Sequence, residues 1–221
     1  LEAAKSYELV PSGGAAANYE FVYAGGTLKV EKASSGTLKA GTYAITANLS
    51  MPGDYNPVIP GATVYVNNPN NPFADKAGHE PVLDGNNPVG VVSTTPTTPL
   101  TKNATLVVAA NGTKTLELDV LNPVFTTQEL GTCAELADVQ VTRKAPADAS
   151  VWSYGKYDTR ISHVSVKLTD DMVTGAKSYY FSGSKLYAVP LDMDIAPSGS
   201  VALELSVNYS SLPASALPDG V

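Results

Sequence analysis

Residues 104–120 read ATLVVAANGTKTLELDV, and that stretch alone narrows the fold class. Leu106 and Val108 face one way on the approach to Asn111-Gly112, and Leu116, Leu118 and Val120 repeat the spacing beyond it. An apolar residue at every second position marks a strand buried on one side. Asn-Gly between two such runs predicts a hairpin, because it supplies the positive φ angles of a type I′ turn.

The same period runs through the rest of the chain. In GTYAITANLS, Tyr43, Ile45, Ala47 and Leu49 alternate with Thr42, Ala44, Thr46 and Asn48. Further strands are predicted at Thr63–Val66, Val89–Ser93, Val139–Arg143, Ser162–Leu168, Lys185–Val189 and Val201–Tyr209. The last of these turns Val201, Leu203, Leu205 and Val207 to the core. Helical evidence is thin: CAELADV allows a turn or two, and no sustained 3.6-residue period occurs. Strands about every ten residues with turn signals between them predict an all-β fold, an antiparallel Ig-like β-sandwich with long irregular loops behind a short N-terminal β-hairpin.

Asn67–Pro88, Thr94–Asn103 and Ala145–Asp158 are the long polar excursions, the last carrying Trp152. Excursions of that length in a compact domain are usually either functional or mobile. Composition agrees with a turn-rich β protein: 43% hydrophobic residues but only 16% charged, with 18 Gly and 16 Pro among 221 residues. The net charge of -7 argues against nucleic acid and anionic membrane as partners, since both demand a basic face. No run reaches the ~20 apolar residues of a membrane span.

The segment Asn18–Ala33, NYEFVYAGGTLKVEKA, resembles the closing hairpin of the MBG-type repeats of large bacterial surface proteins. Tyr19 and Tyr23 would lie on its first strand, Leu28 and Val30 on its second, with Gly25-Gly26 at the turn. The resemblance implies that residues 1–34 end one repeat and that a new domain occupies 38–213, with the boundary near Ser34–Lys39. It also implies an extracellular, cell-wall-attached protein, with export and anchoring signals outside this sequence, which opens at Leu1 rather than Met.

From Leu38 onward the order of pieces is similar to the NEAT domains of Gram-positive bacteria. LKAGTYAITANL fits their opening LxxGxYxVxxxL, and the Ala104–Val120 hairpin and late strand Val164–Leu168 follow in comparable order. That family implies haem held by the first tyrosine of a late YxxxY pair. Here Tyr179, Tyr180 and Tyr187 are late but not so spaced, and the one YxxxY is Tyr19–Tyr23.

Residues suited to chemistry are few. No GxSxG elbow is present, and no carboxylate pair stands out for glycosidic work, so no enzyme is expected. Cys133 is alone, which removes internal disulfides and cysteine-type zinc sites. His79 lies beside Asp75, Glu80 and Asp84, but a Pro-rich loop fixes no ligand geometry; His163 falls on the solvated face of its strand. Asp192-Met-Asp194, Asp84-Gly-Asn86-Asn87 and Thr169-Asp170-Asp171 read as strand-ending turns rather than calcium loops. A Lys–Asn cross-link at Asn208 is not expected, because Asn208 alternates with Glu204 and Ser206 away from the core.

Aromatic residues are the best material for a contact surface, because tyrosine offers rigid amphipathic area at low entropy cost. Tyr55, Trp152, Tyr154, Tyr179, Tyr180 and Tyr187 are the candidate ligand-binding residues. Adjacent Tyr179 and Tyr180 cannot both point inward if that segment is extended. The expectation is a non-catalytic module of a bacterial surface protein, for adhesion, ligand binding or spacing. Its partner would be a host or community surface macromolecule or a neighbouring domain, with no metal or cofactor. NEAT-like haem or haemoprotein binding is the alternative, and a carbohydrate-binding module the third reading.

Overall fold

The computed structural model describes residues 5–14, 17–18, 22, 24–30, 37–57, 60–69, 98–122, 124–145, 157–189, 192–196 and 199–219. The chain divides into two compact units, Leu1–Ser35 and Gly36–Val221. In the first, β1 (Lys5–Leu9) and β2 (Gly26–Val30) pair antiparallel, with Lys5 opposite Val30 and Leu9 opposite Gly26. The described partner of β2 is therefore Lys5–Leu9, and Gly26 opens a strand instead of occupying a turn. Alternation identifies strands but not which strand lies beside which. Tyr19 and Tyr23 fall outside the described residues.

The second unit is an antiparallel all-β sandwich with no α-helix among its described residues. Its strands are β3 (Gly41–Met51), β4 (Val64–Tyr65), β5 (Ala104–Val108), β6 (Lys114–Asp119), β7 (Phe125–Glu129), β8 (Ala137–Lys144), β9 (Arg160–Leu168), β10 (Ala176–Ala188), β11 (Met193–Asp194) and β12 (Val201–Asn208). Hydrogen bonds run along the path β11-β10-β12-β3-β5-β6-β9-β8, with β4 on β3 and β7 on β10. The path turns within β3. Gly41–Ile45 pair with β5, while Thr46–Ser50 pair with β12.

The core follows the alternation read from sequence. Ile45, Ala47, Leu49, Leu106, Val108, Leu116, Leu118, Val164, Val166, Leu203, Leu205 and Val207 are all buried. Tyr179 points in and Tyr180 points out, as adjacent residues of an extended strand must. The second half of β3 is buried on both faces, so Asn48 and Ser50 are enclosed as well. No helix among the described residues is long and apolar enough to cross a membrane.

The β5–β6 hairpin forms, but not with the expected type I′ turn. Leu106 pairs with Leu116 and Val108 with Lys114, which leaves residues 109–113 as the loop. The Ala109 carbonyl accepts the Gly112 N–H, and the Ala109 N–H donates to the Thr113 carbonyl, both at 2.9 Å. Gly112 alone in this loop takes a positive φ, +82°. This is a type I turn closed by a glycine bulge. A two-residue turn at Asn111-Gly112 would shift the register by one and set Leu106 opposite Glu117, so the apolar pattern selects the longer loop.

β1, β7 and the first stretch of β10 escaped the sequence reading, and Met193–Asp194 forms the short strand β11 where a turn was expected. Phe125–Glu129 carries Thr126, Thr127 and Gln128 in buried positions, so it shows no polar–apolar alternation. Ala176–Ser184 is the first stretch of β10, broken by a bulge between Phe181 and Ser184 where Gly183 has φ +87°. A bulge resets the two-residue period and hides the strand. The predicted strand Val89–Ser93 lies outside the described residues, as do His79 and its acidic neighbours.

Candidate functional site

Antiparallel pairing fixes which residues share an end of the sandwich. At one end the chain enters through Leu38 and Lys39 and leaves through Ala216 and Asp219. The Lys39 N–H donates to the Ala216 carbonyl at 2.9 Å, and the Lys39 ammonium lies 2.6 Å from Asp219. From there the 11 residues of β3 run about 33 Å at ~3.3 Å per residue.

Beyond Met51, at the opposite end, sits a short 3-10 turn, Gly53–Tyr55. It is stitched to the returning chain. The Gly61 N–H donates to the Gly53 carbonyl at 3.1 Å, the Gly53 N–H to the Thr63 hydroxyl at 3.3 Å, and the Asn56 side-chain amide to the Ala62 carbonyl at 2.7 Å. A Cβ on Gly53 would lie 2.5 Å from the carbonyl carbon of Gly61, so the two strands of this turn meet through glycine. On that fixed base the Tyr55 side chain is 56% exposed.

The other candidates are dispersed. Tyr180 stands on the outer face of β10 opposite Glu204 and is 49% exposed. Tyr179 is fully buried, with its hydroxyl committed to Asp170. Tyr187 is buried edge-on against Tyr157, ring centroids 5.7 Å apart, and donates its hydroxyl to Asp192. Burial, together with the neighbouring carboxylate, raises the Tyr187 pKa, so the phenol stays protonated. Trp152 and Tyr154 lie outside the described residues. The surface tyrosines described are thus Tyr55 and Tyr180, on separate elements.

Asparagine side chains do what sequence reasoning did not foresee. Asn103 bonds both backbone groups of Ala47: its carbonyl oxygen accepts the Ala47 N–H at 3.2 Å, and its amide donates to the Ala47 carbonyl. It thereby extends the β3–β5 ladder by one rung after the backbone of β5 has turned away. Buried Asn67 accepts the Leu49 N–H at 3.1 Å and donates to Asn48 at 3.2 Å. Asn48 in turn bonds both backbone groups of Leu100, at 2.9 and 3.0 Å, and the Asn68 amide donates to the Thr98 carbonyl at 2.9 Å. Both flanks of residues 70–97 are therefore fixed to the outer side of β3. A buried amide has donors and an acceptor to satisfy, and backbone groups supply both.

At the entry end the core closes on a buried ionic group. Lys114 occupies an inward position of β6, in phase with Leu116 and Leu118, and its ammonium is 3.8 Å from Asp170. The Asp170 carboxylate also accepts the hydroxyls of Tyr179 and Tyr209 and the Met172 N–H. Burial opposes its charge, but the two phenols and Lys114 outweigh burial and hold its pKa below the ordinary value. Beside it lies a cavity of about 40 Å³ whose walls include Leu38, Val108, Lys114 and Met172, room for little more than water. The sequence signal for this cluster was a lysine on the apolar phase of a strand, two residues before Leu116.

On the outer face of β6 and β9, His163 lies between two carboxylates. Nδ1 is 2.8 Å from Asp119 and Nε2 is 2.7 Å from Glu117, which also accepts the Ser165 hydroxyl at 2.9 Å. Two donors on one ring require the imidazolium. Partial burial lowers its pKa, yet the bonds to Asp119 and Glu117 prevail and raise it above 6.5. Among the described residues no group of three His, Cys, Asp or Glu side chains is arranged to hold a metal ion. No protein-family model matches the chain, nor does any curated protein or solved structure.

Proposed function

We propose that this chain is a non-catalytic binding module of a bacterial cell-surface protein, acting outside the cell on a host or community surface macromolecule. The observation that carries the reading is Tyr55, a half-exposed ring on a stitched turn, about a full strand length from where the chain enters and leaves. An aromatic side chain on a rigid base loses little freedom on contact, which suits it to recognition. The N-terminal resemblance to surface-protein repeats and the acidic, turn-rich composition support the extracellular setting.

A panel of immobilised glycans and extracellular-matrix proteins tests this, with the whole chain as the probe and Tyr55→Ala as the control. Saturable binding that Tyr55→Ala weakens about tenfold or more is the expected result, as for a contact anchor. Binding that ignores Tyr55 would move the surface elsewhere, and no binding across the panel would leave a spacer role in front. A glycan hit would bring in the carbohydrate-binding reading.

One observation keeps the haem alternative in play: the Tyr180 ring is accessible, while the phenols of Tyr179 and Tyr187 are engaged by aspartates. A haemin titration with Tyr180→Ala decides it. A saturable Soret band lost in the variant would replace the adhesin reading.

A further inference from the structure

The entry and exit of the sandwich form a clasp. Besides the Lys39–Ala216 and Lys39–Asp219 contacts, the Tyr43 hydroxyl donates to the Lys39 carbonyl at 2.9 Å and fixes the incoming chain. Leu38 and Ala216 are buried in the core. On the outgoing side, the Tyr209 hydroxyl reaches Asp170 at 2.6 Å, and the Ser211 hydroxyl accepts the Thr46 N–H at 2.7 Å. The first strand leaves this end and the last strand returns to it, and the two are hydrogen-bonded to each other from Thr46–Asn208 to Ser50–Glu204.

We propose that the sandwich is hung from its polypeptide at one point rather than strung along it, so that tension in the chain bypasses the sheets. A pull on Leu38 crosses to Ala216 at the clasp. If the clasp gives way, the incoming chain peels β3 from β5 starting at Gly41–Val108, the outgoing chain peels β12 from β3 starting at Thr46–Asn208, and the bonds break one pair at a time. Hydrogen bonds between antiparallel strands lie across the strand direction, so a pull along the strands from opposite ends loads them all together. A module built to bear load as a spacer needs that second geometry. This one has the first, and it holds Tyr55 at its free end. The inference sharpens the binding reading over the spacer reading, but its mechanical content stands whether or not Tyr55 binds anything.

Single-molecule pulling of the whole chain tests it. One handle is fixed at Leu1 and the second is placed either at Val221 or at Ser200→Cys, both in a Cys133→Ser background. Ser200 is exposed and precedes β12, so the second arrangement drives β3 and β12 past each other in shear. Any event from Leu1–Ser35 is common to both. If Cys133→Ser loses its cooperative unfolding step, a peptide handle inserted between Gly199 and Ser200 replaces the cysteine. The sandwich is expected to open at several-fold lower force through Val221 than through residue 200. Equal forces, or a higher force through Val221, would overturn the proposal.

Discussion

The hydroxyls of Tyr179 and Tyr209 converge on a single oxygen of Asp170, one from the first stretch of β10 and the other from the turn that follows β12. Lys114 faces the carboxylate's other oxygen, so four side chains from separate regions of the fold close one end of the core. Removing the hub strands the rest. Asp170→Ala is expected to cost about 3–5 kcal/mol, the range for breaking a buried pair, while Tyr209→Phe should cost about 1.5–3 kcal/mol for one bond to a charged group. Urea unfolding of the two variants checks both values and their order.

The same carboxylate sets an acid limit. Its pKa is lower folded than unfolded, so the stability it contributes is complete above the unfolded value of about 4 and is lost as the pH falls through the folded one. The stability gap between the native chain and Asp170→Asn should therefore be constant from neutrality down to about pH 5 and shrink in stronger acid. A gap that widens on acidification would contradict the assignment.

His163 works in the opposite sense. Its folded pKa is raised, so its contribution is present below the unfolded value of about 6.5 and disappears as the pH rises through the folded one. His163→Gln should destabilise the protein near pH ~5.5 and be close to neutral above pH ~8.5. Imidazole proton shifts across a pH titration give the folded value directly, and a value at or below 6.5 would remove the basis for the effect.

Gly131 should tolerate no side chain. A Cβ there would lie 2.0 Å from the Ser182 carbonyl oxygen, at the point where Thr132 and Ser182 exchange two backbone hydrogen bonds of 2.9 and 3.0 Å. Gly131→Ala must push these backbones away from each other and is expected to lose more than about 3 kcal/mol, whereas Gly199→Ala, with open space around it, should stay within about 0.5 kcal/mol. Thermal melts of the pair make the comparison.

Asn67→Ala leaves the buried Leu49 N–H without its acceptor and should cost about 1–3 kcal/mol. Hydrogen exchange locates the effect: the Leu49 amide should lose protection well before that of Leu205, which pairs with Leu49 from β12. Uniform loss across both strands would mean that Asn67 acts on global stability and not on the root of residues 70–97.

Strand positions were legible because burial on one face writes itself into alternate residues, as in Tyr43–Leu49 and Val201–Val207. Even the loop length of the β5–β6 hairpin was there to be read, in the spacing of Leu106 from Leu116, which an Asn-Gly pair could not override. Pairing partners were not legible: nothing local tells Gly26–Val30 that Lys5–Leu9 lies beside it. The asparagine clamps were hidden for a related reason, since Asn103 and Ala47 meet only after the chain has folded across 56 residues. His163 was placed on its strand's outer face, but Glu117 and Asp119 reach it from a strand more than forty residues away in sequence. A similar distance along the chain separates Asp170 from Tyr209, which only the fold joins.

One strand serves both layers of the sandwich. Because Gly41–Ile45 belong to the β5 side and Thr46–Ser50 to the β12 side, neither layer owns a complete set of neighbours without it. A fragment cut to keep either layer alone would take away half of a strand that the other half depends on. The smallest piece of this unit with a chance of folding is therefore the unit whole, and its melting should register as a single event by every probe.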